Sequence, residues 1–566
     1  MQQRLSRLNR GTWLLCGILL FNAGLTAADP AAPAPPPTPV PAPMPTAADF
    51  ELLKEQLAAQ QAEIEKLRAE LHDRAKGNAD VKALRTQPAT IAAAAPVPSP
   101  SAAAAPDPPA PSPAPAPTPA PDPQQMLPPG THAPLQIQLG NITIQPIGFM
   151  DATVVWRNVN AGSGIGSNFG SIPYGNTLNS NLSETRFSIQ NSRLGFRVDG
   201  DWKGAHFIGY NEFDFLGQSA ANNIGVTNGA FVPRIRLYWI DMRKNKYEFL
   251  AGQSWSLLTP NRYGLSPLPQ DVFYSQVMDV NYLIGLTWTR QLGFRFVYHP
   301  TGKIAMGLAL ENPNQYMGGY GGGPQIVLPA GLTSVAGAQL DNGSANFLST
   351  PNLHPDIIAK IAFDPSKRLH FEFAGIERDF KIANPNTFQT FTATGGGGSV
   401  NANFELFKGF RLISNNFYGD GGGRYMFGNA PDVVVRPNGS LSPLHSSGLN
   451  EGFEAQVSPN TMLWGYYGAI FIGKDVAVDT NGKLVGYGYP GSSNAMNRNV
   501  QEGTIGITQT FWKDPRYGAL SFIGQYEYLT RRPWYVAPGA LSNAADHTVY
   551  LDLRYTLPGG APNAEP

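Results

Sequence analysis

Short stretches in which apolar and polar residues alternate, each closed by a Gly-, Asn- or Pro-rich turn, recur from about residue 135 onward and dictate extended structure. Residues 547–558 show the pattern most cleanly. Val549, Leu551, Leu553, Tyr555 and Leu557 fall on one face of a strand, and Thr548, Tyr550, Asp552, Arg554 and Thr556 on the other. A strand with one apolar and one polar face suits a soluble sandwich or a membrane barrel. The aromatic residues, 11% of the chain, favour the barrel because many stand near strand ends: Trp288 and Tyr298, Trp464, Tyr466 and Tyr467, Phe511 and Trp512, Tyr526 and Tyr528, Trp534 and Tyr535. A bilayer interface selects rings at both edges of an apolar band. Beyond the N-terminus there is no run of roughly 18 apolar residues, so a spanning structure has to be a closed barrel.

The chain has 566 residues and a formal net charge of zero, which offers nothing to nucleic acid. Residues 1–28 have the order of a secretory signal: Arg4, Arg7 and Arg10, an apolar run from Trp13 to Phe21, then small residues through Ala27 and Ala28. The single cysteine, Cys16, lies in that run behind Leu15, where a lipoprotein signal would want a small residue. The exported chain is then cysteine-free. Residues 29–48 and 75–134 are Ala/Pro-rich spacers that tend to polyproline II. Between them, residues 49–74 carry a heptad seam. Phe50, Leu53, Leu57, Gln60, Ile64, Leu67 and Leu71 alternate at intervals of three and four behind Asp49, which is placed to cap the helix. About three heptads are marginal for association alone, so something else must hold the partners close. The seam leaves dimer and trimer open, and a lone amphipathic helix is the alternative.

Residues 135–558 are enough for about sixteen tilted strands of ~10 residues joined by alternating short turns and long loops, with residues 559–566 as a tail. Candidate strands are 142–156, 193–202, 205–215, 234–242, 248–256, 286–298, 304–311, 357–363, 369–377, 401–407, 462–472, 504–511, 520–529 and 547–558. Others are hidden where loops and glycines blur the period. Phase assigns faces. Leu194, Phe196 and Val198 point outward, leaving Arg193 and Arg197 inside with Asp199; Ile235, Leu237 and Trp239 form an outward row with Arg234, Arg236 and Tyr238 inside; Phe294, Phe296 and Tyr298 leave Arg295 inside. Arg186 joins the inner set if a bulge at 190–192 corrects the phase of Phe187 and Ile189. The lumen is the cheaper place, since a mid-membrane arginine on the lipid face costs ~2–4 kcal/mol. These arginines either bias a constriction toward anions or are each paired with Glu184, Asp199, Glu212 or Asp214 in an ordinary lumen network.

Residues 257–282, with prolines at 260, 267 and 269, interrupt the pattern as one long loop. Folded inward, it would place Arg262, Asp271 and Asp279 at an eyelet; otherwise it is a plain external loop. Glycine runs at 321–323, 395–398 and 421–423 lack the Lys-Ser/Thr of a phosphate loop and read as flexible loops. The eight histidines show no metal-ligand spacing, and Asp341, Asp356, Asp420 and Asp432 are isolated acids with a weak claim on calcium. His370 and Glu372 share a strand face and read as a lumen hydrogen-bond pair. No catalytic residue, cofactor or metal site is expected.

The order of signal, heptad helix, Pro/Ala spacer and large barrel resembles the DcaP-like trimeric outer-membrane porins. The resemblance is carried by NSRLGFRV at 191–198, YNEFDFLG at 210–217, PRIRLYWID at 233–241 and LAGQSWSLLTP at 250–260, with the heptads at 50–71. Likeness to phosphate-selective porins is looser, because no lysine-rich strand or loop is present. The resemblance implies sixteen strands, a homotrimer, and diffusion of small anions such as dicarboxylates through an arginine-lined eyelet. Arg193, Arg197, Arg234 and Arg236 lie inside matching segments; Arg186, Arg262 and Arg295 do not. Outer-membrane barrels usually end on an aromatic residue, whereas here GGAPNAEP follows the last strand. The expectation is an outer-membrane channel among lipids and lipopolysaccharide, with its N-terminal segment in the periplasm. The alternative is a barrel that serves as an anchor while its periplasmic arm tethers the membrane to peptidoglycan.

Overall fold

The computed structural model describes residues 135–217, 231–273, 275–320, 323–343 and 350–558. The signal, the spacers, the heptad helix with its seam from Phe50 to Leu71, and the tail lie outside the described residues.

Sixteen antiparallel strands close into a barrel. They are β1 (Ile142–Arg157); β2, interrupted, made of Glu184–Ser188 and Arg193–Trp202; β3 (Ala205–Gly217); β4 (Val232–Lys244); β5 (Tyr247–Trp255); β6 (Arg290–Thr301); β7 (Ile304–Glu311); and β8 (Asp356–Ser366). The second half comprises β9 (Leu369–Ala383), β10 (Thr390–Phe407), β11 (Phe410–Asp420), β12 (His445–Ser458), β13 (Thr461–Ile472), β14 (Asn497–Asp514), β15 (Gly518–Pro533) and β16 (Ala544–Thr556). β16 returns to pair with β1, from Thr556 opposite Phe149 to Thr548 opposite Arg157, and this leaves no open edge. Turns of two or three residues join the strands at one end, as at 203–204, 302–303 and 515–517. Connections at the other end are longer, the largest being 158–183, 256–289 and 312–355.

Outward positions form an apolar belt that includes Phe294, Phe296, Leu308, Phe373, Val400, Ile505, Leu551 and Leu553. Toward the short-turn end the belt becomes aromatic: Trp202, Tyr247, Phe407, Phe511, Trp512 and Tyr517 are exposed, Tyr247 stacks with Tyr298, and Phe407 stacks with Phe410. Rings of that kind are at home where hydrocarbon meets headgroups. The interior is also apolar in part, which is what misleads a reading by alternation. Leu257, Leu258, Ile284, Tyr425 and Val433, from connections at the long-loop end, form a core with wall residues Val297, Phe380, Phe417 and Ile470.

That packing overturns several expectations. Trp288 lies in a loop, and Trp464 and Tyr466 are buried inside the barrel, so these three belong to no interface ring. The strand expected at 286–298 begins at Arg290; Leu286 and Trp288 are apolar because the loop is buried. In β4 the pairing slips between Glu212 opposite Leu237 and Phe213 opposite Ile235, a bulge at Arg236. Both arginines still face inward, but Leu237 and Trp239 are turned inside and Tyr238 outside, the reverse of the expected row. The corresponding break in β2, where Ser192 N–H donates to the Ile189 carbonyl at 3.0 Å, is the one the phase required. Residues 395–398 are not a loop. They lie within β10, where a Cβ on Gly397 would stand 2.7 Å from the Tyr418 carbonyl oxygen and 2.9 Å from the Phe417 ring and from Gly419 Cα. The glycines are there to admit that ring.

Candidate functional site

Residues 256–289 fold into the barrel and are held there by the walls. A short hairpin closes the loop on itself, with Arg262 N–H donating to the Asp271 carbonyl at 2.6 Å and Phe273 N–H to that of Pro260 at 2.8 Å. The backbone N–H of Leu257 donates to Glu311 at 2.7 Å, that of Asn261 to Glu372 at 3.1 Å and that of Ile284 to Glu502 at 3.1 Å. Gln276 N–H reaches the Tyr466 hydroxyl at 3.2 Å, and Met278 N–H reaches Gln525. Glu311, Glu372, Tyr466, Glu502 and Gln525 come from five different strands, so three inward-facing acids, a phenol hydroxyl and an amide oxygen satisfy the loop's buried backbone.

Tyr282 marks the point where the loop meets the arginines. Its hydroxyl oxygen accepts from Arg193 at 3.2 Å and from Arg236 at 3.0 Å. Arg236 also donates to Glu212 and to Asp214, both at 2.7 Å, and Arg234 forks onto Asp214 at 3.0 and 2.7 Å. Arg290 completes the cluster, its guanidinium 5.7 Å from the Trp255 ring centroid and 5.8 Å from that of Trp288. Four guanidiniums thus meet two carboxylates. Strict alternation with Leu292 and Phe294 would have put Arg290 on the outer wall; the change of path from loop to strand turns it inside.

The other candidates are dispersed. Arg262 forks across the lumen onto Glu454 at 2.8 and 2.6 Å. Arg197 pairs with Asp199 at 2.6 Å and Arg186, half exposed, with Glu184 at 2.9 Å. Arg295 donates to the carbonyls of Trp255 at 2.5 Å and Leu265 at 3.4 Å and braces the base of the loop. Arg262, Arg197 and Arg186 are thus ion-paired one to one, whereas at Tyr282 four guanidiniums meet two carboxylates among the described residues.

Arg193, Arg262, Asp271, Asp279, Tyr282, Glu454 and Arg554 line a cavity of about 300 Å³ that extends to the short β12–β13 turn at Pro459 and Asn460. Burial pushes the Asp271 carboxyl up to about 7, against a hydrogen bond from Ser266 and the charge of Arg197. Asp279 is likewise raised by burial, against hydrogen bonds from Ser167 and Asn281. His370 bridges Asp364 at 2.8 Å and Glu372 at 3.2 Å, so the expected pair is part of a longer chain of polar groups. Asp356 and Asp432 are both taken up by Arg378, at 3.1 and 2.9 Å.

A closed sixteen-stranded barrel with an apolar outer belt and a long loop folded through a charged lumen has the architecture of an outer-membrane porin. The structure is similar to the outer membrane channel DcaP of Acinetobacter baumannii, with a TM-score of 0.53 and 17% identity over 74% of this chain and 99% of that one. It is more distantly similar to OmpT of Vibrio cholerae (TM-score 0.40, 9% identity, 74% of this chain and 99% of that one). OmpF of Salmonella typhi stands at a similar distance (TM-score 0.41, 10% identity, 75% of this chain and 100% of that one). No protein-family model and no curated protein matches the sequence.

Proposed function

We propose that this chain is an outer-membrane porin that gives small solutes a narrow, water-filled passage, with a bias toward small anions such as dicarboxylates. The observation that carries the reading is the cluster at Tyr282, where Arg193, Arg234, Arg236 and Arg290 gather around Glu212 and Asp214 beside a loop that narrows the lumen. A planar guanidinium stays charged and matches carboxylate geometry through its fork. The apolar core formed by the loops keeps the passage small. The fold shared with DcaP supports the porin reading. In this proposal the chain is a homotrimer that its heptad segment helps to hold together, and the N-terminal segment lies in the periplasm, with peptidoglycan as a further partner.

Conductance in a planar bilayer tests it. Detergent-purified protein is expected to open in groups of three steps, with a reversal potential in a salt gradient that favours chloride over potassium. A silent bilayer sinks the channel and leaves a membrane anchor with a periplasmic tether. Cation preference keeps the channel and discards the arginine argument.

A further inference from the structure

The outer wall carries a polar constellation that the porin reading does not use. Along the outward face of β9, Phe371 and Phe373 give way toward the long-loop end to Glu377, Asp379 and Lys381, so the apolar belt ends there. His354, just before β8, reaches over to this face. Its Nδ1 lies 2.8 Å from the Pro355 carbonyl oxygen. A carbonyl only accepts, so Nδ1 carries the ring proton and the neutral imidazole presents its lone pair at Nε2. That nitrogen lies 2.5 Å from Asp379 Oδ2 and 3.6 Å from Glu377 Oε1. All three ligand atoms lie within 4.8 Å of one another. With Nε2 set against two carboxylates, the space between them is stabilised by a cation: the second ring proton, making imidazolium, or a metal ion that takes that proton's place.

We infer that His354, Glu377 and Asp379 form a binding site for a divalent first-row transition cation, zinc being the reference ion, on the outer wall at the long-loop rim. The surroundings are those of a ligand set held in place. Thr394 donates its hydroxyl to the second oxygen of Asp379 at 2.7 Å, and the Pro355 carbonyl fixes the histidine tautomer. Partners of that kind orient metal-bound carboxylates and imidazoles and raise ligand basicity. One nitrogen with two carboxylate oxygens suits zinc; calcium takes six to eight oxygens. The side chains of His354 and Glu377 are 36% and 43% exposed, which leaves a further coordination position open to the outside. Zinc bonds of about 2.0–2.2 Å need the nitrogen and oxygen further apart than they now stand, so the ion enters by a small outward rotation of His354.

The test uses the full chain in detergent, stripped with EDTA and titrated with zinc chloride by calorimetry. One ion per chain is expected, with affinity reduced on the order of a hundredfold by His354→Ala and by Glu377→Gln. X-ray absorption should show a nitrogen at about 2.0–2.1 Å with oxygen neighbours. Glu377→Gln keeps the shape of the strand and has no part in the lumen, so its conductance is expected to match the parent. Affinity unchanged in either variant, no binding by the parent, or calcium bound in preference to zinc each overturns the assignment. A silent bilayer would refute the channel without touching this site.

Discussion

Lys360 Nζ lies 2.8 Å from Glu372 Oε2, both side chains fully buried, and the pair grips the backbone of the inward loop. Lys360 donates to the Thr259 carbonyl at 2.7 Å and to Asn261 Oδ1 at 2.9 Å, while Glu372 accepts the Asn261 N–H. Removing one partner of a buried pair leaves a charge without compensation and costs about 3–5 kcal/mol. Lys360→Met is therefore expected to lower the temperature at which the barrel loses its compact migration on gels. It should also add flicker to the single-channel current, because the loop loses its hold at Thr259. A Lys360→Met/Glu372→Leu double variant should recover part of the stability without restoring a quiet current.

Arg290 is the cleanest probe of selectivity. It lies beside the rings of Trp255 and Trp288 and makes no ion pair among the described residues, so Arg290→Gln removes a charge and strands no carboxylate. Reversal potentials should shift toward cations while thermal stability stays within about 1 kcal/mol of the parent. Arg236→Gln, by contrast, leaves Glu212 and Asp214 under-compensated in a buried place and is expected to lose both stability and anion preference. Equal reversal potentials for parent and Arg290→Gln would remove the cluster from the conduction path.

Selectivity should also depend on pH. The Asp271 carboxyl stands at about 7 in the folded chain, above the roughly 3.9 of an unfolded one. The folded state holds that proton more tightly, so this group's contribution to stability is greatest below about pH 4 and declines as pH rises toward 7. In the lumen the same proton removes a negative charge from the cavity shared with Arg193 and Arg262. Anion preference is expected to strengthen as pH falls from 8 to 6, and Asp271→Asn should flatten that profile at the low-pH value. A profile unaltered by the substitution would place Asp271 off the solute's route.

Gly397→Val should be among the most damaging single changes in the second half of the barrel. The new side chain would meet the Tyr418 carbonyl and the Phe417 ring at once, an overpacking that costs typically 1–3 kcal/mol. The expected result is poor recovery of compact barrel and a lowered denaturation temperature, with selectivity unchanged in the fraction that folds.

The same glycines show where the sequence becomes hard to read. Alternation is reliable where the inward face stays polar and the outer face apolar, as in β16, whose inward Thr548, Tyr550 and Asp552 are buried while Leu551 and Leu553 are exposed. It fails where apolar side chains also turn inward to meet the loops. Ile413 and Phe417 of β11 face inward beside Asn415, while Ser414 and Asn416 share the outward row with Leu412 and Tyr418, so both faces are mixed and neither β11 nor β12 is among the strands the sequence predicts. Bulges are the second blind spot: the one at Arg236 flips Leu237 to Trp239 without any glycine or proline to announce it. Arg193, Arg197, Arg234, Arg236 and Arg295 were legible as inward residues because an arginine in hydrocarbon is so costly. Their carboxylate partners Asp199, Glu212 and Asp214 were legible as well, whereas Tyr282, which meets Arg193 and Arg236 from a loop whose path depends on tertiary contacts, was not.

Those contacts fall on strands from both halves of the barrel, from Arg193 in β2 to Gln525 in β15, and this has a mechanical consequence. The loop acts as an internal strut. An empty cylinder would be free to flatten under lateral pressure from the bilayer, whereas here ovalisation of the wall has to stretch or compress the spokes that hold the constriction. The aperture and the outline of the cross-section are thereby tied together, and the surrounding lipid gains leverage over a gap it never touches.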